Sequence, residues 1–224
     1  MSGLFITLEG GEGSGKSTQA SRLRMWFEDL FPEREIIVTR EPGGTDQAEV
    51  IRDILVNGSA DKLAVQTEAL LMIAARTEHV LKVLKPALMR NAIVICDRFS
   101  DSTLVYQGLA YGQDIELLRS IHQFGFADLK PDLTFVLDVP PEQGLLRAET
   151  RVKKQNSESR FEEKGLSFHK SVRDGFVKLA KSEPDRFVIV DATGTPKETD
   201  KLVKQHIMER LQEQGVLHSQ KLGV

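Results

Sequence analysis

The sequence predicts an α/β fold in which a five-stranded parallel sheet carries helices on both faces. Short apolar segments alternate along the chain with amphipathic segments of helical spacing, which is the pattern of βαβ units. The run from Ala92 to Cys96 is apolar throughout, as expected for a strand that is buried on both faces. No repeat or linker interrupts the alternation, so we expect residues 1–224 to form one domain with its own core.

Five short apolar runs are predicted to be the strands. They are Leu4–Leu8, Glu35–Thr39, Ala92–Cys96, Leu133–Asp138 and Arg186–Asp191. Parallel strands place their carboxyl ends at one edge of the sheet, and α/β proteins bind ligands in the crevice outside that edge. Polar residues occur at these ends, and we expect them to line one crevice: Glu9, Arg40, Asp97, Arg98, Asp138 and Asp191.

Between the strands, apolar residues recur at helical spacing and local signals mark the helix ends. Thr45 or Asp46 can cap the second helix, and Thr195–Glu198 is a capping box with proline at the first helical position. The predicted helices are one carrying Leu23 to Phe31, one from about residue 45 to 57, one from about Thr67 to Met89, Gln113–Phe124, one that begins over Pro141–Thr150 and enters the charged stretch, one around Ser167 to Ala180, and one that follows Thr195.

The segment Gly10–Ser17 fits the pattern G-x-x-x-x-G-K-[ST] of a phosphate-binding loop. Glycines permit the backbone angles that point successive N–H groups at a phosphate chain. Lys16 can then reach the β- and γ-phosphates, and the Ser17 hydroxyl can bind Mg²⁺. Its place between a predicted strand and a predicted helix favours a nucleotide site over a glycine-rich surface turn. The predicted ATP-binding residues are Gly10, Gly11, Glu12, Gly13, Ser14, Gly15, Lys16, Ser17 and Thr18.

Asp97 and Arg98 directly follow the buried third strand. A carboxylate at this place can hold Mg²⁺ in the manner of a Walker B acid, so Ser17 and Asp97 are the predicted metal ligands. Arg98, and Arg40 at the end of the second strand, can each bind a phosphate through the guanidinium group. Ordinary surface ion pairs would also explain these arginines. Two of them beside a triphosphate site favour a second anion site, as a phosphotransferase requires.

The charged stretch from Arg147 to Lys164 is predicted to be a mobile lid, at about residues 147–164. Such a lid supplies arginine to the charge that develops during phosphoryl transfer, and it excludes water. A solvated charged helix is the alternative interpretation.

Composition narrows the class of partner. Lys+Arg 30 and Asp+Glu 33 give a net charge of −3, which argues against a nucleic-acid or membrane surface and favours small-molecule substrates. Cys96 is the only cysteine, so no intrachain disulfide can form. Together with the absence of a long apolar run, this predicts a cytoplasmic protein.

Several motifs resemble the thymidylate kinase family, over about residues 3–211. The blocks Thr39–Thr45 (TREPGGT) and Asp97–Thr103, the latter followed by Tyr106–Gly108, are far more specific than the phosphate loop. Pro131–Thr134, Leu137–Val139 and Asp191–Ala192 continue the resemblance. It implies a P-loop kinase fold, a homodimer, and Mg²⁺-dependent transfer of phosphate from ATP to dTMP, giving dTDP for dTTP biosynthesis.

The resemblance also implies roles for individual residues. Arg40 and Arg98 would hold the acceptor phosphate, and Arg76 would read a carbonyl of thymine. The implied catalytic residues are Lys16, Arg98, Arg151 and Glu9. The implied substrate-binding residues are Glu9, Arg40, Met72, Arg76, Arg98, Ser102, Thr103, Tyr106 and Gln107. Packing would equally explain Tyr106, and a polar helix side would explain Arg76.

The family includes one type with its catalytic arginine in the phosphate loop and another with it in the lid. This phosphate loop has no arginine whereas the lid is rich in them, so the chain resembles the lid type. Arg151 aligns best with the catalytic arginine, and Arg160 is the substitute candidate. Met72 stands where the family usually has a phenylalanine stacked on thymine, and a thioether packs less rigidly. Selectivity between dTMP and dUMP is therefore open.

Two alternatives remain. A kinase for another acceptor, such as dUMP or a nucleoside, would use the same chemistry. A nucleotide-binding switch that hydrolyses ATP would explain the phosphate loop and Asp97, but it gives no purpose to Arg40, Arg98 and the arginine-rich lid. A GTPase is disfavoured because the sequence has no N-K-x-D guanine motif.

Overall fold

The computed structural model describes residues 3–57, 62–127, 129–155 and 164–213. Each predicted strand is present in this part of the chain, and each strand end lies within one residue of its predicted place. The strands are β1 (Leu4–Glu9), β2 (Ile36–Arg40), β3 (Ile93–Asp97), β4 (Leu133–Asp138) and β5 (Phe187–Asp191).

These strands form one parallel sheet in the order β2-β3-β1-β4-β5. The central strand β1 pairs with β3 on one side and with β4 on the other. In this register Leu8 lies opposite Asp97, and Asp97 lies opposite Arg40. The carboxyl ends of three neighbouring strands therefore meet at one edge of the sheet. The predicted α/β fold class and its parallel sheet are confirmed.

The helices of the described residues lie on both faces of the sheet. They are α1 (Lys16–Leu30), α2 (Asp46–Val56), α3 (Val65–His79), α4 (Lys85–Met89), α5 (Ser100–Thr103), α6 (Ile115–Phe126), α7 (Pro141–Gln155), α8 (Leu166–Ser182) and α9 (Pro196–Glu213).

The prediction of one continuous α-helix from about Thr67 to Met89 is wrong in its continuity. The helix begins at Val65, and a π-helical turn at Val80–Leu84 separates α3 from α4. Pro86 stands in the first turn of α4. Proline has no N–H and cannot make the hydrogen bond of an α-helix to the residue four positions earlier. The wider π-helical turn before Pro86 uses bonds between residues five positions apart, so it does not require that bond.

Several other helix ends also differ from prediction. The helix α6 begins at Ile115 because Asp114 caps it, accepting from the N–H groups of Glu116 and Leu117 at 2.8 and 3.2 Å. The helix α7 continues beyond Thr150 to Gln155. A second π-helical segment, Leu104–Ala110, extends α5.

Two predicted helix caps are confirmed. Thr45 Oγ1 accepts from the N–H of Ala48 at 3.1 Å at the start of α2. Before α9, Thr195 Oγ1 accepts from the N–H of Glu198 at 3.3 Å, and Glu198 Oε2 accepts from the N–H of Thr195 at 2.7 Å. These contacts satisfy N–H groups that a helix start otherwise leaves unbonded.

The core has two layers, because alternate residues of each strand face opposite sides of the sheet. Ile6 and Leu8 pack with α1 and α9, through residues such as Phe27 and Ile207. Phe5 faces the other side and packs with Val80, Phe99 and other residues near α4 and α6. A second cluster on that side joins α3, α6 and α8. None of the helices in the described part of the chain is both long and apolar enough to cross a membrane.

Candidate active site

The phosphate loop connects β1 to α1 and has the conformation that its glycines predict. Gly10, Gly13 and Gly15 have φ angles of 135°, 67° and 94°, which residues with a Cβ rarely adopt. A Cβ built on Gly10 would also lie 2.6 Å from the carbonyl oxygen of Leu137. The loop can therefore curl tightly only with glycine at these positions.

Lys16 is buried beneath this loop. Its ammonium donates to the carbonyl oxygens of Gly10 and Gly11 at 3.2 and 2.8 Å and to Ser14 Oγ at 3.2 Å. Burial, together with the nearby Arg98 guanidinium, lowers the pKa of Lys16 to about 8. A bound phosphate would oppose both effects, since a nearby negative charge favours the protonated amine.

Ser17 and Asp97 meet at the mouth of the loop, with Ser17 Oγ donating to Asp97 Oδ2 at 2.6 Å. One hydroxyl oxygen and one carboxylate oxygen are the hard ligands that Mg²⁺ prefers, and the rest of its shell is normally water and substrate phosphate. The two predicted metal ligands therefore fit a magnesium ion.

Arg98 joins the phosphate loop to the helices on the other side of the edge. Its Nη1 donates to the Gly10 carbonyl oxygen at 3.0 Å and to Ser102 Oγ at 3.2 Å, and its Nη2 donates to Glu12 Oε1 at 2.8 Å. The guanidinium carbon lies 5.1 Å from the centre of the Tyr106 ring. Arg98 has a φ of 70°, an uncommon conformation for a residue with a side chain. The turn after β3 thus directs this arginine at the loop.

Glu9 is fully buried next to Arg98. It accepts from the N–H of Phe99 at 2.8 Å and from Ser102 Oγ at 2.6 Å. Burial raises the pKa of Glu9 to about 7, and the nearby charge of Asp101 adds to this effect. A group with this pKa can gain or lose a proton near neutral pH.

Asp101 is held by an ion pair that crosses the sheet edge. Arg186 donates to both of its carboxylate oxygens, at 2.6 and 3.0 Å, and to Thr134 Oγ1 at 2.9 Å. Thr134 in turn lies 2.8 Å from Thr7, hydroxyl to hydroxyl. This network ties β1, β4 and the residue before β5 to α5, which carries the site.

Arg76, predicted to read thymine, is buried among partners from its own chain. Its Nε donates to Glu41 at 2.5 Å, its Nη1 to Thr103 Oγ1 at 2.9 Å, and its Nη2 to the Phe99 carbonyl oxygen at 3.0 Å. His122 Nε2 lies 3.0 Å from Nη1. Burial and the charge of Arg76 lower the pKa of His122 to about 3, so this nitrogen accepts. The contacts fix the guanidinium, and its role toward a base stays a prediction.

Glu41 is shared between Arg76 and a second buried residue, His79. His79 Nδ1 lies 2.9 Å from Glu41 Oε1, and its Nε2 lies 2.8 Å from Thr39 Oγ1. Ligand atoms of Glu41, His79 and Cys96 lie within 4.8 Å of one another. However, both ring nitrogens of His79 already have partners, and the Cys96 thiol donates to the Arg98 carbonyl oxygen at 3.0 Å. We interpret this cluster as support for Arg76 rather than as a metal centre.

The remaining predicted substrate-binding residues lie on α3, α5 and the π-helical segment that follows. Met72 is half-buried and packs against the cluster that contains Tyr106. Gln107 is buried and donates to Glu68 Oε1 at 2.6 Å. Tyr106 is buried as well, with its ring edge-on to Phe168 and Phe176. Contacts thus link Arg98 to Ser102 and Tyr106, and Arg76 to Thr103, within the predicted base pocket.

Arg40 stands apart from this group. Its side chain is 56% exposed and forms an ion pair with Glu49 at 3.1 Å.

Arg151 falls on α7, with its side chain outside the described residues, and Arg160 falls wholly outside them. Asp138 pairs with Arg173 at 2.6 Å, and Asp191 caps the turn at Thr193 at 2.9 Å. Of these two strand-end residues, Asp138 thus forms an ion pair with α8 and Asp191 accepts a hydrogen bond from the loop after β5.

Sequence reasoning missed three residues that contact the predicted site. They are the carboxylates Glu41 and Glu68 and the imidazole of His122. The sequence could have predicted Glu68, because Glu68, Met72 and Arg76 are spaced four residues apart and lie on one side of α3. No sequence pattern predicts the contact of His122, because that contact depends on how α6 packs against α3.

We predict that Glu9→Gln removes a pH dependence of stability. The folded protein keeps the Glu9 proton up to a pKa of about 7, whereas an unfolded chain loses it near about 4.3. The folded state therefore binds more protons in this window, and its free energy of unfolding falls as pH rises through it. Glutamine can accept from Phe99 and donate to Ser102 at every pH.

Urea unfolding of both proteins from about pH 4.5 to about pH 7.5 measures this effect. We expect the wild-type protein to lose on the order of 3 kcal/mol relative to the variant. Glu28→Gln, at a side chain that is 47% exposed, is the matched control and should parallel the wild type. Parallel curves for Glu9→Gln would contradict the prediction.

Comparison with known proteins identifies the family. The Thymidylate kinase family model matches residues 8–203. The chain is 44% identical over 209 residues to thymidylate kinase of Caulobacter vibrioides, covering 93% of this chain and 98% of that protein. It is 46% identical over 196 residues to thymidylate kinase of Pseudomonas entomophila, covering 86% and 89%.

A solved structure agrees with the sequence comparisons. Thymidylate kinase from Ehrlichia chaffeensis matches with a TM-score of 0.74 and 33% identity, over 92% of this chain and 99% of that one. The residues matched by the family model include the phosphate loop, the TREPGGT block and the block that begins at Asp97. The chain therefore belongs to the thymidylate kinase family.

Proposed function

We infer that the protein is an ATP-dependent nucleoside monophosphate kinase that phosphorylates dTMP to dTDP in dTTP synthesis. The observation that carries this conclusion is the position of Arg98. Its guanidinium contacts the phosphate loop at Gly10 and Glu12 and the buried pocket side at Ser102. A donor phosphate in the loop and an acceptor phosphate on Arg98 would lie next to each other, as phosphoryl transfer requires.

The donor side is formed by the phosphate loop and the start of α1. Backbone N–H groups of the loop and the Lys16 ammonium can hold the triphosphate. The hydroxyl of Ser17 and the carboxylate of Asp97 would hold Mg²⁺, which neutralises phosphate charge when bound. Arg147 ties α7 to the loop after β5, donating to the carbonyl oxygens of Ala192 and Thr193 at 2.9 and 2.8 Å.

The acceptor side is formed by α3, α5 and the ends of β1, β2 and β3. Arg98 would hold the dTMP phosphate, assisted by Arg40 once it leaves Glu49, and Glu9 would lie near the sugar and phosphate. The pocket for thymine would be formed by Met72, Arg76, Ser102, Thr103, Tyr106 and Gln107. Support comes from the contacts of Arg98 with Ser102 and Tyr106 and from the burial of every member of this group except the half-buried Met72.

The chemistry needs positioning and charge neutralisation more than proton transfer. The acceptor is already an anionic phosphate oxygen, so a strong general base is unnecessary. Lys16 and Arg98 place fixed positive charge beside the transferred group, in a site where burial strengthens such interactions. We propose the lid type of the family, with Arg151 supplying further charge from α7 and Arg160 as the alternative.

The quaternary and cellular assignments are also proposals. A homodimer is supported by exposed apolar side chains on α2, α3 and α6, where α3 packs against both other helices. These side chains are Val50, Ile54, Leu70, Leu117 and Phe124. One domain for residues 1–224 is supported by the central place of the N-terminal strand in the sheet. The single reduced cysteine supports a cytoplasmic location.

ADP formation from Mg·ATP tests the function, with dTMP, dUMP, dCMP, AMP or no acceptor. We expect strong dependence on dTMP and weaker activity with dUMP, since one methyl group is worth about 1–3 kcal/mol of discrimination in an apolar pocket. An equal rate of ADP formation with and without an acceptor would favour the ATP-hydrolysing switch. A different preferred acceptor would keep the mechanism but change the substrate, and Met72 would be the first residue to examine.

We predict that Arg151→Ala lowers kcat by on the order of 10³, because an arginine that acts on transition-state charge has effects of this size. The KM for dTMP should change little, since this arginine acts on the transferred phosphoryl group. Steady-state kinetics with each substrate varied in turn measure both constants. Lys153→Ala, two residues further along α7, is the control. Near-normal turnover in Arg151→Ala would assign the role to Arg160 or remove the lid from the chemistry.

A further inference from the structure

The helix α7 touches the phosphate loop at a pair of glycines. Gly144, in the second turn of α7, is buried. A Cβ built on Gly144 would lie 2.3 Å from the carbonyl oxygen of Glu12, and one built on Gly13 would lie 1.9 Å from the carbonyl oxygen of Gly144. Both distances are far below van der Waals contact. The two backbones therefore approach as closely as they do only because neither residue has a side chain.

The start of α7 is also fixed on its other side. Gln143 Nε2 donates to the Thr193 carbonyl oxygen at 2.9 Å, and Arg147 donates to carbonyl oxygens of the same loop. The helix therefore bridges the phosphate loop and the loop after β5. A helix held at both points cannot move away from added bulk without breaking one of these contacts.

Helix stability alone does not explain glycine at position 144. Glycine is a poorer helix former than alanine in a helix interior. Alanine at position 144 would therefore stabilise the helix itself. It is disfavoured because its Cβ would collide with the backbone of the phosphate loop at Glu12.

We propose that Gly144 is a positioning residue that sets the distance between α7 and the phosphate loop. Arg151 is seven residues further along α7, nearly two full helical turns, so its backbone position lies on the same side of the helix as Gly144. The contact thereby fixes both the loop that binds ATP and the register of the proposed lid arginine. The effect on the phosphate loop requires only that this loop binds ATP. The effect on Arg151 rests on the proposed function.

The test is Gly144→Ala in the full chain. Because a shift of about 1 Å at a reacting group can cost about 10²-fold in rate, we expect kcat/KM for ATP to fall by about 10²-fold. The KM for dTMP should stay within about twofold, since Gly144 does not contact the acceptor side. Because the added Cβ would meet the Glu12 carbonyl oxygen, the unfolding midpoint without ligand should be unchanged or lowered. The unchanged KM for dTMP then distinguishes a local effect on the ATP side from a general folding defect. Leu146→Ala, on the same helix at a side chain that is 65% exposed, is the matched control and should behave as wild type.

Calorimetric binding of a non-hydrolysable Mg·ATP analogue separates this inference from the proposed function. It needs no acceptor, so it reports on the phosphate loop even if dTMP is not the substrate. We expect Gly144→Ala to bind the analogue at least about tenfold more weakly, and Leu146→Ala to bind it normally. Normal binding and normal turnover in Gly144→Ala would overturn the inference and leave the kinase assignment intact.

Discussion

The site depends on one constraint, the position of the Arg98 guanidinium between the phosphate loop and the acceptor side. The turn after β3 gives Arg98 a φ of 70°, and Gly10, Glu12 and Ser102 accept its hydrogen bonds. Buried charge must be paired to be stable. For Arg98 that pairing comes from Glu12 of the phosphate loop, at 2.8 Å.

Other buried charges of the site are arranged by the same rule. Asp101 is paired with Arg186, and Glu41 with Arg76, each within hydrogen-bond distance. Among the residues that the structure describes, no cation forms an ion pair with Glu9, which accepts from a backbone N–H and a hydroxyl. It is correspondingly the carboxyl whose pKa burial raises to about 7. The pattern keeps the arginines fixed at the sheet edge, which reduces the reorganisation needed during transfer.

Much of the fold and part of the site could be predicted from the sequence. Strand positions follow from apolar runs such as Ile93–Cys96, and the Ser17–Asp97 contact follows from a loop and a strand end meeting at one edge. The π-helical turn at Val80–Leu84 and the exposure of Arg40 could not be predicted, because both depend on tertiary packing. The contact between Gly13 and Gly144 could not be predicted either. Helix and strand periodicity relate residues within one element, and these two residues lie in different elements.

The central claim is that Arg98 holds the acceptor phosphate, and calorimetric binding of dTMP and thymidine tests it most directly. In the wild-type protein dTMP should bind at least about tenfold more tightly than thymidine, since charge-assisted hydrogen bonds contribute about 1.5–3 kcal/mol. In Arg98→Met most of that preference should disappear while thymidine binding stays nearly unchanged. Arg24→Met, at a side chain of α1 that is 56% exposed, should match the wild type. A full preference for dTMP in Arg98→Met would contradict the account.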